Sequence, residues 1–134
     1  METYDSLLAS ITPGSGETRT IFDPATGGVV GEAPVHTVED LEAAVTAAVA
    51  AQPAWAALGH DGRSAALLKA ADAVERSAEE LAQLLSREQG KPLNGPNARF
   101  EVGACAAWLR ATATTELTPE VVVDDGETYA ELHY

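Results

Sequence analysis

The sequence holds a single cysteine, Cys105, among 134 residues. No intrachain disulfide can form, which suits a reducing compartment, and no cysteine–histidine cluster shows metal-ligand spacing. Basic residues are also scarce. Eight Lys and Arg stand against 21 Asp and Glu, for a net charge of -13. The bases are scattered and form no basic run, so phosphate neutralisation is poorly served and nucleic acid is not an expected partner. The surplus acids read as solvated helix faces. Aromatic residues make up only 5%, and much of the apolar content is alanine. Alanine favours helix but contributes little burial per residue, so the expected core is thin. Long hydrophobic runs are missing too. The longest low-charge stretch, Leu41 to Gly59, contains Glu42 and Pro53 and is mostly alanine, which does not make a membrane span. The opening METYDSLLASITPG carries acids where a signal peptide needs bases. The expectation is one cytoplasmic domain, large enough to bury roughly two-thirds of its unfolded surface.

The hydrophobic pattern predicts β-rich ends around a helical middle. Thr18 to Phe22 and the region of Val29-Val30 flank Asp23-Pro24-Ala25-Thr26-Gly27-Gly28, a turn in which proline presets φ and glycine permits closure. A hairpin is expected over residues 18–34. Thr37-Val38-Glu39-Asp40 resembles a capping box with Asp40 in place of Glu or Gln. The helix behind it puts Leu41, Val45, Ala48 and Val49 on one face, and Pro53 is expected to end or bend it. Asp61 is read as the N-cap of a second helix striped by Leu67, Ala71 and Val74. Ser77 and Glu80 form a capping-box pair that restarts a helix lined by Leu81, Leu84 and Leu85. Gly90 suits the helix end and Pro92 blocks continuation. Asn94-Gly95-Pro96 is a turn with proline placed at a helix start. Phe100, Ala104, Ala107, Trp108 and Ala111 form the next stripe, which Pro119 closes. Val121 to Val123, Asp124-Asp125-Gly126 and Tyr129 to Tyr134 read as a second hairpin, with Tyr129, Glu131 and His133 sharing a face. The predicted fold class is α+β: hairpin, three to four helices, hairpin. Its parts are a loose arm over residues 1–17, a hairpin and helical layer over 18–119, and a second hairpin over 120–134. A two-stranded hairpin is marginal alone, so both look like parts of a larger body.

Residues able to carry chemistry are few. Gly14-Ser15-Gly16 lacks a third glycine and precedes the first strand, so it is not a phosphate loop. His36, His60 and His133 lie far apart near turns or a strand end and read as ordinary loop histidines. Cys105, in GACAAWLR, has apolar neighbours, whereas a reactive thiol needs an electropositive, partly open setting. It reads as a small packed residue. Trp55 and Trp108 could stack a ligand, but helix-face packing is the commoner use. Glu88, Lys91 and Pro92, in SREQGKPL, mark a helix end where Glu and Lys could pair locally or cap carbonyls.

Taken together, IFDPATGGVVGEAPVHTVEDLEAAVTAA, PAWAAL, EQGKPL and ARFEV, in this order and spacing, resemble the N-terminal part of the aldehyde dehydrogenase superfamily. Each motif is weak alone, and four in register make the resemblance specific. It runs from about residue 18 to the end. VVVDDGETYAELHY resembles the hairpin that family members send out as part of an oligomerisation arm.

The resemblance implies an enzyme in which an activated thiolate attacks an aldehyde. Backbone and amide donors hold the oxyanion, hydride passes to NAD or NADP, and a glutamate-activated water releases the acid from a thioester. The family's catalytic cysteine, general-base glutamate, oxyanion asparagine and cofactor-ribose lysine have no counterpart among residues 1–134. Cys105 and Lys91 match none of them, so no catalytic, cofactor-binding or metal residue carries over. The expectation is the N-terminal part of an NAD(P)-dependent aldehyde dehydrogenase, binding no cofactor alone, whose partners are the rest of the enzyme or further copies of itself in a homo-oligomer. The alternative is a non-catalytic scaffold or interaction module derived from that family.

Overall fold

The computed structural model describes residues 16–133, so the expected arm of residues 1–17 falls outside it except for Gly16 and Glu17. Strands β1 (Thr18–Phe22) and β2 (Val29–Pro34) pair antiparallel, with Thr18 opposite Pro34 and a register irregularity between Ile21 and Phe22. The turn closes as its composition demands. Asp23 N–H donates to the Gly28 carbonyl and Gly27 N–H to the Asp23 carbonyl, both at 2.8 Å. The Asp23 carboxylate accepts from Ala25 N–H at 2.8 Å. Side-chain acceptance two residues along is what fits Asp for this position.

Helix α1 (Val38–Ala57) begins with the expected capping box. Thr37 Oγ1 accepts from Asp40 N–H at 3.2 Å, and the Asp40 carboxylate accepts from Thr37 N–H at 2.8 Å. These bonds from Thr37 hold the Asp40 carboxyl below its ordinary range. Pro53 does not end the helix, because α1 continues through it. Proline removes the hydrogen bond to the carbonyl four residues back, but that residue, Val49, is exposed, so water can serve its carbonyl. The bend comes at Leu58–Gly59, where α2 (Gly59–Arg76) leaves α1 at 117°. Gly59 has φ of 66°, a left-handed value that makes so sharp an elbow accessible. Asp61 is therefore not the N-cap. Leu58 holds that place without a side-chain bond, and Asp61 lies in the first turn, because a one-residue elbow leaves no extended residue for it to occupy.

Helix α3 (Ala78–Gln89) follows through Ser77, whose ψ of 19° is not the extended geometry a capping box needs. The expected Ser77–Glu80 box does not form, since Ser77 makes no side-chain cap bond. Its backbone instead carries the chain from helix to helix: its N–H reaches the Val74 carbonyl and its carbonyl accepts from Leu81. Gly90 ends α3 in the left-handed conformation, as its position in the sequence predicts. Helix α4 (Ala98–Thr114) starts from Asn97, so Pro96 precedes the cap and is not the first helical residue. The first N–H groups of α4, from Ala98 and Arg99, donate to the carbonyls of Pro92 and Leu93.

The core lies where α4 packs against α2 and α3. Ala82, Ala98 and Val102 form its centre, with Val74, Ala78, Leu81, Leu85 and Leu93 packed around them. Ala71, Ala106 and Ala113 extend the same buried seam. Small residues let the helix backbones approach closely but supply little apolar area each. The stripe expected to face inward on α4 does not: Phe100 and Trp108 are 62% and 73% exposed. The Leu41–Val45–Val49 face of α1 is likewise uncovered, and α1 buries no residue. Periodicity finds an apolar face but does not say which face the chain itself covers. No single helix among the described residues is long and apolar enough to cross a membrane.

Strands β3 (Glu120–Asp124) and β4 (Tyr129–Leu132) form the second hairpin. Val121 faces Glu131 and Val123 faces Ala130, leaving Val122 as a bulge. The Asp125 carboxylate accepts from Thr128 N–H at 2.7 Å and Glu127 N–H at 3.0 Å, which lowers its pKa. Tyr129, Glu131 and His133 share a face as expected: Tyr129 donates to Glu131, and His133 Nε2 lies against the Glu131 carboxylate. Tyr134 lies outside the described residues.

Candidate functional site

Cys105 sits on α4 with its side chain exposed, against the expectation of a packed thiol. The seam through Ala98, Val102, Ala106 and Ala113 passes beside it, so its alanine neighbours in sequence do not cover it. Trp108, also expected to pack, is open on the outer face of the same helix. His36 is exposed at the end of the first hairpin, His60 is half-buried at the elbow, and His133 belongs to the second hairpin. The three histidines thus lie in three different parts of the fold. No group of three or more His, Cys, Asp or Glu able to hold a metal occurs among the described residues.

Two concavities stand out among the described residues. The first, of about 650 Å³, lies at the elbow between α1 and α2, against the segment after α4. Trp55, His60, Arg63, Leu67, Glu116 and Leu117 line it. Arg63 is partly committed there, donating to the Ala56 carbonyl at 3.2 Å. Cys105 is not among its walls, so the elbow brings histidine and acids together without that thiol. The second, of about 560 Å³, is a shallow apolar trough along α4 floored by Phe100, Ala104, Ala107, Trp108 and Ala111. Its character is that of an uncovered helix face.

Charge is concentrated in ties between helices. Arg99 on α4 grips the Glu79 carboxylate on α3 with two bonds, Nη2 at 2.7 Å and Nε at 2.9 Å. Gln83 donates to the same carboxylate. Arg99 and then Gln83 hold the Glu79 carboxyl down at about 2, against an ordinary 4.5. Arg110 reaches back to α2, where Nη2 meets Glu75 Oε2 and Asp72 Oδ1, each at 2.6 Å. Glu75 is thereby lowered and Arg110 raised. Lys91 pairs with Glu101 on α4, not with Glu88 as the SREQGKPL segment alone suggests. Sequence reasoning missed these ties because partners 10 to 38 residues apart leave no local signal.

The described strands make two separate antiparallel pairs. A dinucleotide in an open α/β fold lies across the carboxyl ends of several parallel strands, with a helix N-terminus at its phosphates. The described residues offer no such crevice, so they do not fit a nicotinamide dinucleotide.

The sequence matches the model of the aldehyde dehydrogenase family over residues 11–129. It is 44% identical over 96 residues to a non-phosphorylating aspartate-semialdehyde dehydrogenase of Halomonas elongata, covering 72% of this chain and 19% of that protein. It is 32% identical over 126 residues to the aldehyde dehydrogenase LUC3 of a Fusarium species, covering 94% of this chain and 27% of the relative. Among solved structures, an aldehyde dehydrogenase from Bacillus cereus superposes with a TM-score of 0.79 at 28% identity, covering 90% of this chain and 25% of that one. PnpE, solved in complex with nicotinamide adenine dinucleotide, superposes with a TM-score of 0.73 at 33% identity, covering 87% of this chain and 24% of that one. The chain thus spans between 19% and 27% of the length of these relatives. The register of the motifs, the α+β arrangement of hairpins and helices, and these matches agree: the chain belongs to the aldehyde dehydrogenase family.

Proposed function

We propose that this chain is the N-terminal helical layer and an assembly hairpin of an NAD(P)-dependent aldehyde dehydrogenase, which oxidises an aldehyde to a carboxylic acid through a thioester. The observation that carries this reading is the pair of uncovered apolar faces, Leu41–Val45–Val49 on α1 and Phe100–Trp108 on α4. Faces of that kind mark surfaces built to be covered. In this reading the rest of the enzyme covers them, residues 18–119 are the structural layer, and residues 120–134 join a neighbouring subunit of a cytoplasmic homo-oligomer. The cofactor, when bound to the whole enzyme, supplies the hydride acceptor. The part of the chain described here supplies packing surface and subunit contact, and neither the thiol nor the base of the reaction.

The chain alone is accordingly inactive and does not hold the cofactor. A thiolate, a base and an oxyanion donor within reach of one carbon are needed, and among the described residues the exposed Cys105 stands outside the cavity that holds His60 and Glu116. Calorimetric titration of the chain with NAD and NADP, beside an absorbance assay for NADH formation with several aldehydes, tests this. No heat of binding and no turnover are expected. Micromolar binding, or turnover abolished by Cys105→Ala, contradicts the reading. The scaffold alternative is separated by an enzyme that contains this segment. Loss of its aldehyde oxidation when Phe100 and Trp108 are made polar supports the catalytic assembly, and full activity supports the alternative.

A further inference from the structure

The first hairpin is held to the helices at few points. Val30 is its one buried strand residue. One of these points lies in the turn, where Pro24 rests on the residue that ends α3. A Cβ placed on Gly90 would stand 2.7 Å from Pro24 Cγ, 3.6 Å from its Cβ and 3.9 Å from its Cδ. The first distance is well inside carbon–carbon contact, and a proline ring has little freedom to turn away. Gly90 also has φ of 67°. Two independent demands thus fall on one residue: a left-handed helix end, and room for a ring from another element.

We propose that Pro24 and Gly90 form a latch that fixes the first hairpin on the helical layer, with Gly90 as the positioning residue. The next residue extends the fastening. The Lys91 carbonyl accepts from Ser86 Oγ on α3 at 2.6 Å, and the Lys91 ammonium pairs with Glu101 on α4. Gly90-Lys91 therefore joins the hairpin, α3 and α4 at one place. The seat for Pro24 exists only once α3 has turned left-handed at Gly90, so the hairpin docks on a finished helix end and not on the helix body. The contact brings the DPATG and EQGKP segments together although some 65 residues of chain separate them.

Hydrogen exchange on the whole chain tests the latch. Gly90→Ala should raise exchange of the β1–β2 ladder amides on the order of tenfold or more, while α2 and α4 amides stay protected. Pro24→Ala keeps Gly90 but removes the ring, and should raise the same amides by a smaller factor. The double variant Pro24→Ala/Gly90→Ala should recover part of the lost protection, because the clash is gone and only backbone strain remains. Gly126→Ala, with φ of 84° and nothing within 4 Å of an added Cβ, should leave the first hairpin unchanged. The proposal is overturned if Gly90→Ala loosens α2 and α4 as much as the hairpin, or if the double variant recovers nothing. If Gly90→Ala fails to fold, unchanged hairpin exchange in Pro24→Ala overturns it.

Discussion

Thr37 and Asp40 exchange hydrogen bonds at the start of a helix that buries nothing, so single residues there have measurable weight. Thr37→Ala should cost about 1 kcal/mol of local helix stability, read as faster amide exchange in the first turns of α1 with α4 unaffected. Val102 is the opposite case, a side chain 9% exposed in the three-residue core centre. Val102→Ala removes two carbons from a packed site and should cost about 2 kcal/mol, seen as a lower urea midpoint. A midpoint unmoved by Val102→Ala would mean the seam is not the core. Cys105 tests its own correction: an exposed thiol should take one equivalent of a thiol reagent per native chain, whereas a covered one should need denaturant.

Between elements, the Glu79–Arg99 tie gives α3 and α4 an acid limit. The Glu79 carboxyl titrates near 2 in the folded chain against an ordinary 4.5. Its stabilising contribution is therefore complete above about pH 4.5 and is lost as pH falls toward 2. Glu79→Gln should flatten that part of an acid-unfolding curve followed by circular dichroism, and an unchanged curve would dismiss the tie. The pair is solvent-exposed, so added salt should weaken the effect. Both hairpins, all four helices, the Thr37 cap and the Gly90 stop were legible in the sequence because each rests on local chemistry. The Ser77 box and the Asp61 cap were misread, since continuous helix-to-helix geometry at Ser77 and a one-residue elbow at Leu58 overrode local preference. The orientation of the α4 stripe was not legible at all, because covering a face is a property of partners distant in the chain. At the candidate site, the sequence reading made His60 an exposed loop residue and placed Cys105 and Trp108 inside, whereas His60 lies half-buried in the first turn of α2 and α4 turns the other two out.

For the molecule as a whole, the uncovered faces predict association. Phe100, Trp108 and the Val121–Val123 edge should draw chains together at high micromolar concentration, since open strand edges and apolar faces both invite partners. Phe100→Ser/Trp108→Ser should lower the sedimenting mass without lowering the unfolding midpoint, because neither side chain is in the core. A compact monomer before substitution would count against this. Helix α1 adds a different consequence. It stands off α2 at 117° and buries no residue, so it depends on its cap and its alanines, and a helix so supported is marginal in water. Whatever covers α1 must first order it and then dehydrate its leucine and valines. Docking should therefore register as a large negative change in heat capacity, with favourable enthalpy opposed by entropy, the signature of a segment that completes its folding in the act of assembly.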